Sequence, residues 1–226
     1  MCGRFVMVSP SYVISEVFCL KEEPQDPLPS YNISPGQSVY AVVRDERDET
    51  NRLARFRWGL VPSWAKDPSV GNRMINARAE SVAERPSFKE AFRDRRCLVV
   101  ADGFYEWQKT GRAKVPFFIR LKSGRPFGMA GLYETWVSPA GKILRTCTII
   151  TTRANDLLSP IHDRMPVIVH REKQALWLDR SVRDKKHLID ILKPFPPEEM
   201  DAYRVSGAVN SPLNDNPALI LPIPDS

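Results

Sequence analysis

Apolar and polar residues alternate along several short stretches of this chain, which is the pattern of β-strands with one buried face. The stretch 52–60 places four apolar residues at every second position: Ala54, Phe56, Trp58 and Leu60. Arg55 and Arg57 would then lie on the opposite face of that strand. Similar stretches predict further strands over residues 2–8, 39–44, 97–107, 115–121, 127–137 and 142–152. Because short turns join several of them, we expect antiparallel pairing.

Helical patterns are fewer and lie between the strands. Ser9 is the expected N-cap of a first helix, with Pro10 at its first helical position. Further helices are predicted over residues 77–96, 155–159 and within 170–193, and final edge strands over 205–210 and 217–222. Strands interrupted by separate helices predict an α+β fold. We expect a single domain over residues 1–226, with a largely antiparallel, barrel-like β core, peripheral helices and a basic groove.

The composition narrows the functional classes. The chain has 226 residues, of which 42% are hydrophobic, and a formal net charge of +6 that favours an anionic partner. No apolar run approaches the roughly 18 residues of a membrane span, so we expect a cytoplasmic protein without membrane contact. The four cysteines, Cys2, Cys19, Cys97 and Cys147, form no Cys-x-x-Cys pair, and we expect neither a metal nor another cofactor.

Cys2 carries the first candidate chemistry. If Met1 is removed, Cys2 presents an α-amine and a thiol on adjacent carbons, and this 1,2-aminothiol can close a five-membered ring on an aldehyde. The α-amine titrates near pH 8, so that a useful fraction is neutral and nucleophilic at physiological pH. The alternative is that Cys2 is only a small residue compatible with methionine removal and packs as an apolar group.

The predicted strand 52–60 and the stretch that follows it, up to Arg78, are basic and contain two tryptophans. Arg57, Trp58, Trp64 and Arg78 interleave cations with aromatic rings, which suits single-stranded nucleic acid: cations follow the phosphates and rings stack on unpaired bases. The alternative is that both tryptophans belong to the core and that the arginines form an ordinary solvated face.

Two further residues have titrating side chains in informative positions. Glu106 ends an apolar strand, where desolvation would raise the pKa of its carboxyl into a range useful for general acid and base catalysis. Strand alternation could equally place Glu106 in solvent. His162 is predicted in a loop between a helix and a strand, where its imidazole is accessible.

Six sequence motifs occur in one order along the chain: Met1-Cys2-Gly3-Arg4-Phe5, Trp58-Gly59-Leu60-Val61-Pro62-Ser63-Trp64, Ile75-Asn76-Ala77-Arg78-Ala79-Glu80, Ala101-Asp102-Gly103-Phe104-Tyr105-Glu106-Trp107, Ile161-His162-Asp163-Arg164-Met165-Pro166 and Val205-Ser206-Gly207-Ala208-Val209-Asn210. Together they resemble the SRAP family, the abasic-site processing proteins related to the SOS response to DNA damage. The resemblance covers about residues 1–221. Six spaced motifs are far more specific than the Met-Cys opening alone.

The resemblance implies a DNA-repair activity in which the mature N-terminal cysteine captures the aldehyde of an abasic site in single-stranded DNA as a stable thiazolidine. Cys2 would be the nucleophile, and Asn76 matches the family residue that positions it. Glu106 matches the acid and base beside the amine, and His162 matches the residue that assists sugar ring opening and proton transfer.

The resemblance also implies DNA contacts and side activities. Arg4 and Arg78 match contacts to phosphates, and Trp64 lies in the segment that packs against displaced bases. A Schiff base at C1′ acidifies the C2′ protons, so a lyase activity by β-elimination is expected. The family is further thought to remove its own Met1, which is a peptidase activity. We expect a monomer.

Two other functional classes remain open from the residues alone. An N-terminal-nucleophile glutamine amidotransferase also begins Met-Cys-Gly, but the basic stretch 52–78 would then have no role, and other motifs of that class were not found. A non-enzymatic module that binds single-stranded DNA would explain the charge but would leave Cys2, Asn76, Glu106 and His162 without a role.

Overall fold

The computed structural model describes residues 2–25, 27–45, 47–111 and 113–224. The strands are β1 Arg4–Met7, β2 Ser30–Ile33, β3 Ser38–Arg44, β4 Asn51–Trp58, β5 Asn76–Arg78, β6 Arg96–Ala101, β7 Gly103–Thr110, β8 Ala113–Leu121, β9 Phe127–Val137, β10 Ile143–Arg153, β11 Arg164–Pro166 and β12 Met200–Arg204. The α-helices are α1 Ser11–Phe18, α2 Lys89–Asp94, α3 Arg171–Leu178 and α4 Lys185–Ile191. Short 3₁₀ helices span Pro68–Arg73, Pro197–Glu199, Gly207–Asn210 and Pro217–Ile220.

Five strands close into a barrel in the order β10, β4, β3, β6 and β9, because β9 also pairs with β10. The closing pair is antiparallel from Ile143 opposite Val137 to Ile149 opposite Gly131, whereas β4 and β10 run parallel. Closure leaves the barrel without a free edge and fills its interior with side chains. The predicted α+β fold with a barrel-like, largely antiparallel core is therefore confirmed.

The second half of β10 extends beyond the barrel and pairs with two short strands. On one side β5 runs parallel to it, with Asn76 opposite Ile149. On the other side β11 runs antiparallel, with Arg164 opposite Arg153. One strand thus sets the positions of two segments that are distant in sequence.

A second sheet has the order β12, β8, β7, β1 and β2 and is antiparallel throughout. Its apolar face packs on the barrel, and the edge of Phe5 in β1 lies against the ring of Trp58 in β4, with 5.2 Å between ring centroids and 62° between ring planes. The Trp58 indole also donates a hydrogen bond to the backbone oxygen of Ile75 at 2.8 Å. Trp58 is therefore a core residue that joins the two sheets.

The predicted strand 97–107 is divided into β6 and β7 at Asp102, where the chain passes from the barrel to the second sheet. The Asp102 carboxylate accepts hydrogen bonds from the backbone amides of Val8 and Ser9, at 2.6 and 2.9 Å, and from the Ser9 hydroxyl. The Ser9 side chain therefore bonds to Asp102, and the prediction that Ser9 caps the first helix is wrong. The N-cap of α1 is Pro10, without a side-chain hydrogen bond.

Four further predicted elements differ from the structure. Only α2 is helical within 77–96, since the start of this range pairs with β10 as β5. Residues 155–159 form turns, and the expected edge strands near the C-terminus are 3₁₀ helices, capped by the side chains of Ser206 and Asn216. Local backbone capping and strand pairing override the weak periodicity of these short segments.

Within the described ranges, no helix is long and apolar enough to cross a membrane. The same residues contain no group of three or more His, Cys, Asp or Glu side chains arranged to hold a metal ion.

Replacing Asp102 with alanine should lower the free energy of unfolding by about 1–3 kcal/mol, because it removes the acceptor for two backbone amides at the junction of both sheets. Urea unfolding measures the loss. Ser9→Ala removes only the hydroxyl contact and should cost less. Equal losses in the two variants would contradict this role for the Asp102 carboxylate.

Candidate active site

Cys2 lies just before β1 and is fully buried. Strand β1 pairs with β7 so that Arg4 is opposite Tyr105 and Phe5 is opposite Phe104. Continuing this register toward the N-terminus places residue 3 opposite Glu106, so the pairing of β1 with β7 brings Cys2 next to the strand that carries Glu106. Met1, whose removal is predicted to free the Cys2 amine, lies outside the described residues.

Asn76 holds the backbone of Cys2 from the other sheet. Its side-chain Nδ2 donates a hydrogen bond to the Cys2 carbonyl oxygen at 2.8 Å. The pairing of β5 with β10 fixes Asn76 opposite Ile149, so the donor is held by the barrel. The Asn76 Oδ1 atom is buried, and no donor in the described part of the chain reaches it. Asn76 therefore fixes Cys2 and retains an acceptor beside it.

Glu106 is buried, with 2% of its surface exposed. Burial disfavours the carboxylate and raises the pKa of the Glu106 carboxyl to about 7. Burial and the charge of Glu106 together raise the pKa of the Cys2 thiol. The thiol is consequently protonated at neutral pH, beside a carboxyl group that can take or give a proton there.

His162 lies in the loop that leads into β11 and is partly exposed. Its Nδ1 is 3.0 Å from the backbone nitrogen of Arg164 and 2.8 Å from Oδ1 of Asp163. A backbone N–H can only donate, so in the neutral ring Nδ1 accepts from Arg164 and the proton is on Nε2. In a protonated ring Nδ1 would carry a proton and would donate it to the Asp163 carboxylate. Burial lowers the pKa of the His162 imidazole, which favours the neutral form at physiological pH.

Two contacts fix the His162 loop, and the sequence analysis identified neither. The Arg164 guanidinium binds both carboxylate oxygens of Glu80, at 2.6 and 3.0 Å, which ties the end of the loop to the segment after β5. On the other side, Gln108 of β7 donates from Nε2 to the Pro160 oxygen at 3.0 Å. The loop is thus held to both strands that carry the other candidate catalytic residues.

A cleft of about 390 Å³ opens at this place, lined by Glu106, Trp107, Lys109, Lys114, His162 and Asn210. It brings together Glu106 and His162, which the sequence placed 56 positions apart. Sequence reasoning missed the remaining lining residues. The signal that could have found the lysines is the hairpin between β7 and β8, whose two strands it did predict.

The predicted DNA-binding residues are distributed unequally. Arg78 is exposed at the end of β5, and Trp64 is 65% exposed in the loop after β4. Arg57 is half-buried and donates to the Asn72 side chain at 3.0 Å. Trp58 is 1% exposed, so it has no free face for a base, and its prediction as a DNA contact is wrong because the indole fills the core between the sheets.

Arg4 makes contacts within the protein. Its guanidinium donates to Asn32 Oδ1 at 2.8 Å and to the backbone oxygens of Val209 and Asn210 at 2.9 and 3.3 Å. Asn32 is itself buried and also donates to backbone oxygens of the same C-terminal segment. These bonds hold the segment that contributes Asn210 to the cleft wall. The prediction that Arg4 contacts a phosphate remains a prediction.

Comparisons with known proteins agree on one family. The model of the family described as SOS response associated peptidase (SRAP) matches residues 1–212. The chain is 46% identical over 223 residues to the abasic site processing protein YoqW of Bacillus subtilis, covering 97% of this chain and 99% of that one. It is 35% identical over 225 residues to the abasic site processing protein HMCES of Gallus gallus, covering 86% of this chain and 66% of that protein. A crystal structure of a Bacteroides thetaiotaomicron protein superposes with a TM-score of 0.87 and 28% identity, covering 98% of this chain and all of that one.

The buried Glu106 carboxyl should make stability depend on pH. Because the folded pKa of about 7 is above the ordinary value of 4.5, folding favours the protonated form; this contribution is complete below pH 4.5 and is lost as the pH rises through 7. The Glu106→Gln variant has no carboxyl to ionise and does not lose this stability. Its free energy of unfolding relative to that of the unmodified protein should therefore increase between pH 4.5 and 8 by on the order of 3 kcal/mol.

Urea unfolding at several pH values measures this difference. The exposed Glu84→Gln serves as control and should show a nearly constant difference over the same range. A constant difference for Glu106→Gln as well would show that the carboxyl titrates near its ordinary value.

Proposed function

Because the chain belongs to the SOS response associated peptidase (SRAP) family, we propose that it processes abasic sites in DNA by capturing them covalently through Cys2. The observation that carries the proposal is the hydrogen bond from Asn76 to the Cys2 carbonyl, which fixes Cys2 beside a buried carboxyl group of pKa about 7. The proposed substrate is the ring-opened abasic deoxyribose, whose C1′ is an aldehyde. The proposed product is a thiazolidine crosslink between protein and DNA.

The reaction needs the free α-amine of Cys2, which removal of Met1 provides. The amine attacks C1′, and loss of one water gives a Schiff base. The thiol sulfur then adds to the imine carbon, and its proton is transferred to the imine nitrogen. The five-membered ring that results contains both reactive atoms of Cys2, and the net change is one aldehyde and one aminothiol combined with loss of water.

Glu106 is proposed as the acid and base for these steps. With a pKa of about 7, both forms of its carboxyl are present at neutral pH. The carboxylate accepts a proton when the amine attacks, and the acid returns it to the departing hydroxyl. Because the pKa of the Cys2 thiol is raised, the thiol needs a nearby base for its addition, and Glu106 is the carboxyl whose charge it senses.

His162 and Asn76 are proposed to act on the sugar. The neutral His162 ring, with Nδ1 accepting from the Arg164 amide, carries its proton on Nε2 and is proposed to donate it to the sugar ring oxygen during opening. The buried Asn76 Oδ1 can accept from the sugar or from the reacting amine.

Two further activities belong to this proposal. The Schiff base acidifies the C2′ protons, so β-elimination competes with thiol addition and gives a minor lyase activity. Removal of Met1 by the protein itself would supply the active amine.

The proposed contacts to single-stranded DNA are made by Arg78, Arg57 and the exposed Trp64, with Arg57 first releasing Asn72. The protein is proposed to act as a cytoplasmic monomer.

Cys2→Ala should abolish the heat-stable adduct with single-stranded DNA that contains an abasic site, because the sulfur that closes the ring is lost. Cys2→Ala and Cys2→Ser both keep the α-amine, and each should give a Schiff base that is trapped only by borohydride. Denaturing gels and intact-mass spectrometry read both results. Adduct formation by Cys2→Ala without borohydride would exclude the thiazolidine.

Glu106→Gln and His162→Ala should each slow adduct formation by about 10²- to 10⁴-fold, the usual contribution of a general acid or base. Single-turnover time courses at saturating DNA measure the rate, and thermal unfolding confirms that each variant is folded. His187→Ala, in an exposed histidine of α4, is the matched control and should keep the normal rate. Normal rates in both site variants would remove these residues from the mechanism.

A further inference from the structure

The hairpin between β7 and β8 places two lysines directly opposite each other. Lys109 pairs with Lys114 in the antiparallel register, so both side chains lie on the same face of the sheet. Opposite residues in such a pair have Cβ atoms about 4.5–5.5 Å apart, and like charges there are destabilising. The sequence thus places two positive charges together where most antiparallel pairs carry neutral or opposite charges.

Neither lysine forms an ion pair with a described residue. Among the described residues, no carboxylate oxygen lies within 4.0 Å of either ammonium group. Both side chains are exposed, and both border the cleft that contains Glu106 and His162. Burial is the main cause of the lowered pKa of His162, and the positive charge of Lys109 is the smallest of the further contributions, which places Lys109 within electrostatic reach of the site.

An aromatic residue lies on the same face of β7 as the lysine pair, because Trp107 is two residues before Lys109. Trp107 also lines the cleft, and its indole Nε1 donates to Asn210 Oδ1 at 2.7 Å, which fixes the orientation of the ring. Two exposed cations beside a fixed aromatic ring are the combination that binds single-stranded nucleic acid: the cations bind phosphate and the ring contacts a base or sugar.

We propose that Lys109 and Lys114 form a phosphate subsite that binds the DNA backbone next to the abasic nucleotide. The inference rests on the proposed function, since it assumes that the abasic sugar occupies the cleft at Glu106. Glu106 and Lys109 are three residues apart on β7, about 10 Å along the strand, and alternation places their side chains on opposite faces of the sheet. Both nevertheless line the same cleft, so the phosphate bound would flank the reacting sugar. Arg78 extends from the barrel sheet, whereas the lysine pair belongs to the second sheet, and Cys2 lies where the two sheets meet. The DNA strand would cross from one sheet to the other over Cys2.

The test measures non-covalent binding, in a Cys2→Ala background, to a single-stranded oligonucleotide carrying a tetrahydrofuran abasic analogue. Lys109→Gln/Lys114→Gln is compared with Lys89→Gln/Lys185→Gln, two exposed lysines that border a different small cleft. Both pairs lower the net charge of +6 by two, so long-range attraction is matched. Affinities are measured from 50 to 200 mM salt.

Loss of two phosphate contacts should reduce the slope of log affinity against log salt by about 1.4, at roughly 0.7 per contact on single strands. The affinity at 100 mM salt should fall by about tenfold. The control pair should leave the slope unchanged. Lys109→Arg/Lys114→Arg keeps the charges and should keep the slope. Equal slopes for the Gln pair and the control would overturn the subsite; if the double variant does not fold, single variants losing about 0.7 each carry the same test.

Crosslinking by the protein with Cys2 intact separates the two proposals. A normal thiazolidine yield with no difference in slope rejects the subsite alone. A difference in slope without any crosslink rejects the proposed chemistry and leaves Lys109 and Lys114 as a phosphate site for single-stranded DNA.

Discussion

The hydrogen bond from Asn76 to the Cys2 carbonyl is the interaction on which the candidate site depends. It is formed between a strand added to the barrel and the start of a strand in the second sheet, so it is only as fixed as the packing of the two sheets. That packing includes the contact between Phe5 and Trp58, and the Trp58 indole in turn binds the residue before Asn76. The hydrophobic core and the reactive end of the chain are therefore stabilised by the same residues.

Burial has opposite effects on the reactive groups and on stability. Desolvation raises the pKa values of the Glu106 carboxyl and of the Cys2 thiol. The carboxyl therefore titrates near pH 7, whereas the thiol stays protonated at that pH. A surface carboxylate would be more stable but would be fully ionised at pH 7 and a weaker proton donor. The same low exposure keeps the Cys2 thiol away from solvent. Burial of Glu106 therefore places the pKa of its carboxyl near 7 and lowers the free energy of unfolding above that pH.

Most strands and the α+β class could be predicted from the sequence, because alternation in stretches such as 52–60 is strong and local. The division at Asp102 could not, since it depends on hydrogen bonds to Val8 and Ser9, far away in sequence. Glu106 was predicted at a strand end, but whether it faces core or solvent is decided by the opposing sheet. The prediction that Trp58 contacts DNA was wrong because a basic strand with tryptophans has the same sequence pattern whether its rings bind bases or fill a core.

The second half of β10 pairs with β5 on one side and with β11 on the other, so a single strand fixes the separation between Asn76 and the residues that follow His162. The intervening segments, 59–75 and 154–163, contribute loops and turns outside this register. Lengthening the segment 59–75 would change the outer surface around Trp64, while Asn76 keeps its position because β5 is paired with β10. The length of this loop can therefore vary independently of the contact between Asn76 and Cys2.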